Sequence, residues 1–332
     1  MNNSSSIKDG FGRVHDYLRI SLTDKCNLRC FYCMPEEGIA LREKSHFMTA
    51  EELIEIAKIF VRLGIKKIRL TGGEPLLKRN AGIIIEELGK LPIKLAITTN
   101  GILVHKYIDA FKSAGIRSIN VSLDTLNEHR FNGITKRNYF QQVMSNIHLL
   151  IKEEFALKIN VVLIKGVNDD ELIDFINWSK ELPIQLRFIE FMPFDGNQWD
   201  WTKKVSYKEI MNSVYNYFGN DLVIKTSDQP NDTSKNFKLL NSTGSFGIIS
   251  SVTNPFCDSC NRIRLTADGK IKNCLFSNKE IDLLTPHRKN LPIEKLIHSS
   301  INNKMKKHAG ISSFEKTDPA QLKNRSMIAI GG

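Results

Sequence analysis

No segment of the 332-residue chain stays apolar for the roughly 18–20 residues that a bilayer crossing demands. The polar opening Met1–Gly10 has no apolar stretch of the kind a secretory signal needs. A cytoplasmic protein is therefore expected, with its thiols reduced. Acidic residues are outnumbered, 36 against 47 Lys and Arg, for a net charge of +11, which points to anionic partners. Yet the positive charge is not gathered into one tail or helix, and no DNA- or RNA-binding motif is visible. A small polyphosphate suits this charge as well as a nucleic acid does. Lys304, Lys306 and Lys307 read as a solvated face. Internal repeats, low-complexity tracts, a general-base dyad and a nucleophilic Ser or Cys arrangement are all missing. What is present, 41% hydrophobic and 25% charged residues, is ordinary for a globular protein with a large buried core.

Nor is any cysteine left over. The six fall into two triplets, Cys26/Cys30/Cys33 and Cys257/Cys260/Cys274. In a reducing compartment such clusters read as metal ligands before disulfides. Three thiolates can hold three corners of a cubane iron–sulfur cluster and leave one iron open to a ligand. Two such sites suggest one cluster for a cofactor and one for a substrate. For the second triplet, a zinc ribbon completed by His287 or His308 in a nucleic-acid binder is the rival.

Between the triplets, strand-like and helix-like segments alternate. Strands are expected at Tyr17–Thr23, Ile65–Thr71, Ile93–Thr99, Arg117–Leu123, Leu157–Ile164 and Ile184–Glu190. Helices are expected from Ala50, where Thr49 and Glu52 form a capping box, to Gly64, then over Ala81–Leu88 and near 102–113, 139–152 and 169–181. Six βα units predict an α/β fold with a parallel sheet, a partial (β/α)6 TIM-like barrel two units short of closure. The expected organisation is a flexible arm over 1–12, the barrel over 13–195, and a C-terminal segment, 196–332, that covers the open side. Ser227–Ser245 reads as a polar linker.

Parallel strands covered on both faces normally read as unbroken apolar runs, but these alternate. Residues two apart share a face, which groups Arg19 with Ser21 and Thr23, and Lys67 with Arg69 and Thr71. It likewise groups Lys94 with Thr98, Ser118 with Asn120, Ser122 and Asp124, Lys158 with Asn160, and Gln185 with Arg187. A packed core tolerates no set of unpaired cations, whereas a lumen holding a polyanion would use them. The bland reading pairs these cations with Asp124 or Glu190.

The first triplet, a C-x3-C-x2-C run with Tyr32 as its aromatic, resembles the signature of radical S-adenosylmethionine (SAM) enzymes. Thr71-Gly72-Gly73-Glu74-Pro75 is similar to that family's GGEP motif. Cys257-x2-Cys260-x-Arg262-x-Arg264 followed by Cys274 resembles the second cluster site of the GTP 3′,8-cyclase (MoaA-like) family of molybdenum cofactor biosynthesis. The resemblance runs from Leu18 to Gly332. It implies two 4Fe–4S clusters, the first binding SAM and cleaving it to a deoxyadenosyl radical, the second binding the guanine of GTP. The radical takes the ribose 3′ hydrogen, and the 3′ carbon closes onto C8 of the base. By the same resemblance Tyr32, Gly72, Gly73, Glu74, Ser122 and Met192 contact SAM. Arg19, Lys67, Arg69, Thr98, Lys158, Arg187, Arg262 and Arg264 surround GTP. The Gly331-Gly332 tail reaches into the chain's own active site. The resemblance also implies a homodimer and a downstream MoaC-like cyclic pyranopterin monophosphate synthase, with an electron donor it does not specify. The alternative within the superfamily is a peptide-modifying maturase, a class that typically carries more C-terminal cysteines.

Overall fold

The computed structural model describes residues 6–35, 38, 42–317, 322 and 324–331. Six strands, β1 (Tyr17–Ser21), β2 (Lys67–Thr71), β3 (Lys94–Thr99), β4 (Ser118–Ser122), β5 (Ala156–Leu163) and β6 (Ile184–Glu190), lie parallel and side by side in chain order. The crossovers are helical: α1 (Ala50–Arg62), α2 (Ala81–Gly89), α3 (Ile108–Ser113), α4 (Glu128–Thr135) with α5 (Phe140–Lys152), and α6 (Leu172–Ser179). The expected strands and helices are all present; α4 is an addition. The box at the start of α1 forms in full, Thr49 Oγ1 accepting from the Glu52 amide at 3.2 Å and Glu52 accepting from the Thr49 amide at 2.8 Å.

One face of this sheet is apolar. Leu18, Ile20, Ile68, Leu70, Ile97, Ile119, Val121, Ile159, Leu186 and Phe188 are buried in the main core with the apolar stripes of the helices. That burial is what holds the crossovers to the sheet. The other face carries the polar alternation, and the strand register lines it up.

After β6 come α7 (Tyr207–Phe218), the hairpin β7 (Val223–Lys225) and β8 (Lys235–Leu239), and β9 (Ser245–Ile249). They are followed by β10 (Arg262–Leu265), β11 (Lys270–Lys272), β12 (Ile281–Asp282), and the helices α8 (Leu284–Arg288), α9 (Glu294–Asn302) and α10 (Met327–Ile330). This region departs from the expected cover, because it continues the sheet at both edges. β9 pairs parallel to β6, and β10 pairs parallel to β1. The expected linker over Ser227–Ser245 contains β8, which closes the β7–β9 edge. Among the described residues no helix is long and apolar enough to cross a membrane.

The described part of the expected arm is folded down. Ile7 is buried, Lys8 bridges Val14, and Asp9 accepts from the Phe11 and Arg13 amides. His15 is wholly buried, with Nε2 donating to Asp9 Oδ2 at 3.0 Å. Burial and then the nearby Lys304 push its pKa from 6.5 down to about 4, against the pull of Asp9. A depressed value means the fold prefers the neutral ring, so this contribution is present above pH 6.5 and is lost as pH falls toward 4. His15→Gln keeps a donor toward Asp9 but cannot titrate. Denaturant unfolding across that interval should therefore show a smaller loss of stability in the variant than in wild type; equal losses would contradict the assignment.

Candidate active site

The strand register stacks cations in rows. Across β10, β1 and β2, Arg264 lies beside Arg19 and Arg19 beside Arg69. One row down, Arg262 lies beside Tyr17, Tyr17 beside Lys67, and Lys67 beside Lys94 on β3. Asn160 and Arg187 pair across β5 and β6. These side chains, with Lys158, line one cavity of about 700 Å³, within the usual range for a small-molecule site. The loop 229–233 closes its side.

The carboxylates offered by the bland reading are used elsewhere. Asp124 accepts from Tyr32 Oη at 2.6 Å and the Val162 amide at 2.9 Å. Glu190 accepts from the Val252 and Thr253 amides and the Thr253 hydroxyl. Arg187 Nε, Arg262 Nη1 and Arg264 Nη1 are buried without a hydrogen-bond partner. Burial and then neighbouring guanidinium charge depress Lys158 and Arg187. Lys158 falls to about 8 beside Arg187, and Arg187 to about 10 beside Arg69. Arg264 falls to about 10 even though the thiols of Cys274 and Cys260 pull the other way. Arg19 is pushed well down by burial and Arg264. Such a surface favours an anion.

Tyr17 was not singled out from the sequence, yet it stands at the centre. Its hydroxyl accepts from Arg69 Nε at 2.7 Å, and Lys67 Nζ sits 4.7 Å over its ring. Burial would raise its pKa, but Arg69, Arg19 and Lys67 outweigh that and bring it to about 7. Its position two residues before Arg19, on the same face, was the available signal. Thr98 lies behind the cations, accepting from Arg69 Nη1 at 3.4 Å.

The second triplet opens into the same cavity. Cys257 and Cys260 form a short turn before β10, and Cys274 follows β11. Burial raises Cys257; at Cys260 burial is outweighed by Lys304 and Arg262, and the thiol is lowered. Lys304 corrects the solvated-face expectation: it is only 4% exposed. The zinc-ribbon histidines are engaged elsewhere, His308 Nε2 donating to the Ser251 carbonyl at 2.8 Å and His287 pairing with Glu55 at 2.9 Å.

The first triplet occupies the loop after β1 and is not part of the cavity lining. The Cys30–Met34 turn is closed by the Cys33 and Met34 amides donating to the Cys30 carbonyl. Helix α4 anchors it, the Thr135 and Ile134 carbonyls accepting from the Arg29 and Phe31 amides. Burial pushes Cys26 to about 11 and Cys33 to about 12, and raises Cys30 as well. Neutral thiols of this kind become thiolate ligands when a metal's charge offsets the burial. All six cysteines are free and half-buried. In type and number, the three thiols at each site are the soft donors that an iron–sulfur cluster with one open position uses.

The GGEP turn binds this loop backbone to backbone. The Gly73 and Glu74 amides donate to the Thr23 and Lys25 carbonyls at 2.6 and 2.7 Å. A Cβ on Gly72 would come within 2.7 Å of the Thr23 carbonyl, and one on Gly73 would strike that of Lys25. Glu74 itself is fully buried, accepting from Thr99 Oγ1 and from the Leu76 and Asn100 amides. Burial outweighs those bonds and raises its pKa to about 7. The carboxylate thus ties β2 to the end of β3. Tyr32 and Met192 both pack against the smaller apolar cluster that Cys274 also touches. Ser122 ends β4 beside Asn160. Gly331 (φ +80°) lies against Ser21 and Thr71, where a Cβ would collide with Thr71 Oγ1. Gly332 is outside the described residues.

Residues 20–179 match the Radical SAM superfamily and residues 184–310 match Molybdenum Cofactor Synthesis C. The chain is 42% identical to Homo sapiens molybdenum cofactor biosynthesis protein 1, over 98% of this chain and 51% of that one. It thus spans about half the length of that relative. It is 43% identical to the mitochondrial GTP 3′,8-cyclase of Arabidopsis thaliana (99% of this chain, 84% of that one) and 41% identical to the GTP 3′,8-cyclase of Listeria welshimeri (98% and 99%). Among solved structures, Streptococcus suis SuiB bound to its precursor peptide SuiA has the same fold, with a TM-score of 0.65 at 15% identity over 96% of this chain and 71% of that one. Gly73→Ala should cost about 1–3 kcal/mol by forcing the two loops apart. Chemical denaturation checks this, and an unchanged midpoint would contradict the packing.

Proposed function

Because the chain belongs to the radical SAM family of GTP 3′,8-cyclases, we propose that it converts GTP to (8S)-3′,8-cyclo-7,8-dihydroguanosine 5′-triphosphate, the first step of molybdenum cofactor biosynthesis. The observation that carries this reading is the cationic cavity. Arg69, Lys67, Lys158, Arg187, Arg262 and Arg264 converge on it, with Arg187 Nε, Arg262 Nη1 and Arg264 Nη1 buried and unmet, and Cys257, Cys260 and Cys274 open into it.

On this reading the fold is a partial barrel whose polar lumen is the cavity. Cys26, Cys30 and Cys33 hold a 4Fe–4S cluster beside the GGEP turn, and Cys257, Cys260 and Cys274 hold a second. The first cluster with SAM supplies the one-electron chemistry that generates a carbon radical. The chain's own residues bind and orient. Arg19, Lys67, Arg69, Lys158 and Arg187 take the triphosphate, whose charge relieves their repulsion. Arg262 and Arg264, next to the second triplet, fix the base end of the nucleotide. Thr98 keeps the Arg69 fork turned inward. Gly72, Gly73 and Glu74 face the amino group of SAM, with Tyr32, Ser122 and Met192 around the rest of that cofactor. Gly331 brings a side-chain-free backbone to the Ser21–Thr71 end of the lumen, and Gly332 shares its role in the reaction. Positioning of this kind lowers the barrier by holding reactants in line and keeping water out. The active form on this reading is a homodimer, and the product passes to a MoaC-like synthase.

Cys26→Ala should abolish deoxyadenosine formation from SAM in an anaerobic assay read by mass spectrometry; retained cleavage would contradict the assignment. Deletion of Gly331 and Gly332 should stop cyclisation of GTP while iron content stays at wild-type level. Full cyclisation by the shortened chain would show that the tail has no part in the chemistry.

A further inference from the structure

The second cysteine site is braced by residues from the two ends of the chain, and each brace reaches a different cysteine. Lys304, just past α9, turns inward and donates from Nζ to Cys260 Sγ at 3.4 Å and to the Arg262 carbonyl at 2.9 Å. Its ammonium is buried beside the sulfur that the Cys257–Cys260 turn presents. Arg13 is the second brace. Its Nε donates to Asp9 at 2.6 Å, and Nη1 donates to the Cys257 carbonyl at 2.7 Å and the Lys306 carbonyl at 2.8 Å. Nη2 donates to the Met305 carbonyl at 3.1 Å. One guanidinium thus joins the loop that bears Lys304 to the turn that bears Cys257 and Cys260. Asp16 accepts from Asn261 Nδ2 at 2.6 Å beside the same turn, and Asn273, next to Cys274, donates to the Ser300 carbonyl at 2.7 Å in α9.

Three thiolates and a cluster make an anionic unit, and hydrogen bonds and cations at the sulfurs set how readily such a unit accepts an electron. Arg262 and Arg264 face the cavity, where a bound polyanion would claim them. Lys304 approaches from behind, with the Cys260 sulfur and a backbone carbonyl as its partners. It can therefore serve the sulfur whether or not the cavity is filled.

We propose that Lys304, locked in place by Arg13, is a positioning residue of the second site: it donates to the Cys260 sulfur and offsets the negative charge of a cluster held by Cys257, Cys260 and Cys274. This rests on the reading that the second triplet binds a cluster.

The test uses the anaerobically reconstituted full chain, with iron counted per chain and reduction followed by EPR during a redox titration. The second signal is isolated in a background with Cys26, Cys30 and Cys33 changed to Ala. Two 4Fe–4S sites imply about eight irons in wild type. Lys304→Met, with one positive charge fewer beside the sulfur, should shift the second potential downward. Lys304→Arg should restore most of it. Arg13→Gln should shift it in the same direction as Lys304→Met. In chains with the first triplet intact, deoxyadenosine formation should stay at wild-type level, which also reports that the chain has folded. Lys304→Gln, polar and close in length, provides a second neutral variant should the Met variant fold poorly. An unmoved second potential in Lys304→Met or Lys304→Gln, with about eight irons in the wild-type chain and about four in the background lacking Cys26, Cys30 and Cys33 and in its Lys304 variants, overturns this inference alone. Four irons in wild type would overturn the two-cluster reading and this inference with it.

Discussion

Like charges placed side by side are what the rest of this structure answers to. Parallel pairing sets Arg264, Arg19 and Arg69 on adjacent strands in one row, and Arg262, Lys67 and Lys94 in the next, with only Tyr17 between them. Adjacent strands are about 4.8 Å apart, and like charges opposite one another in a sheet are destabilising. A fold keeps such rows only if something else holds the sheet. Here the opposite face does so, with its unbroken layer of Leu, Ile, Val and Phe against the helices. The carboxylates that could have neutralised the rows, Asp124 and Glu190, are instead bonded to Tyr32 and to the 252–253 backbone. The polar face is left short of anions.

Both cysteine loops are fixed by neighbouring elements, the first through backbone hydrogen bonds and the second through side chains. The first is gripped by the Gly72–Glu74 turn and by the end of α4, and Glu74 is buried to secure the turn to β3. The second is gripped by the opening segment of the chain and by the residues after α9. Rigid loops at strand ends suit thiols that must be held in place before a metal arrives.

Much of this was legible in the residue order. Period-two alternation on six strands gave the parallel sheet and its polar face, and the capping box gave the start of α1. The cysteine spacing and the two arginines of β10 pointed to both sites. What was not legible depended on contacts distant in sequence. The polar residues 227–245 pair with a strand already in the sheet, and their pattern does not say so. The 1–12 segment reads as an arm because Ile7, the one buried apolar residue among its described residues, and the Asp9–His15 pair gain partners only from the fold. Lys304 sits in a run of lysines that reads as solvent-facing, and its inward partners, Cys260 and Arg262, lie far off in sequence. Nothing in the residue order shows that the Glu74 carboxylate meets donors from the end of β3 and the residue after it.

The proposed cyclase activity depends on the cavity cations binding a polyphosphate. Calorimetric titration of the anaerobically reconstituted protein with GTP, GDP and GMP tests this directly. Each phosphate removed should weaken binding by roughly tenfold or more, as the loss of charge-assisted hydrogen bonds requires, and added salt should narrow the gaps. Equal affinity for GMP and GTP would contradict it.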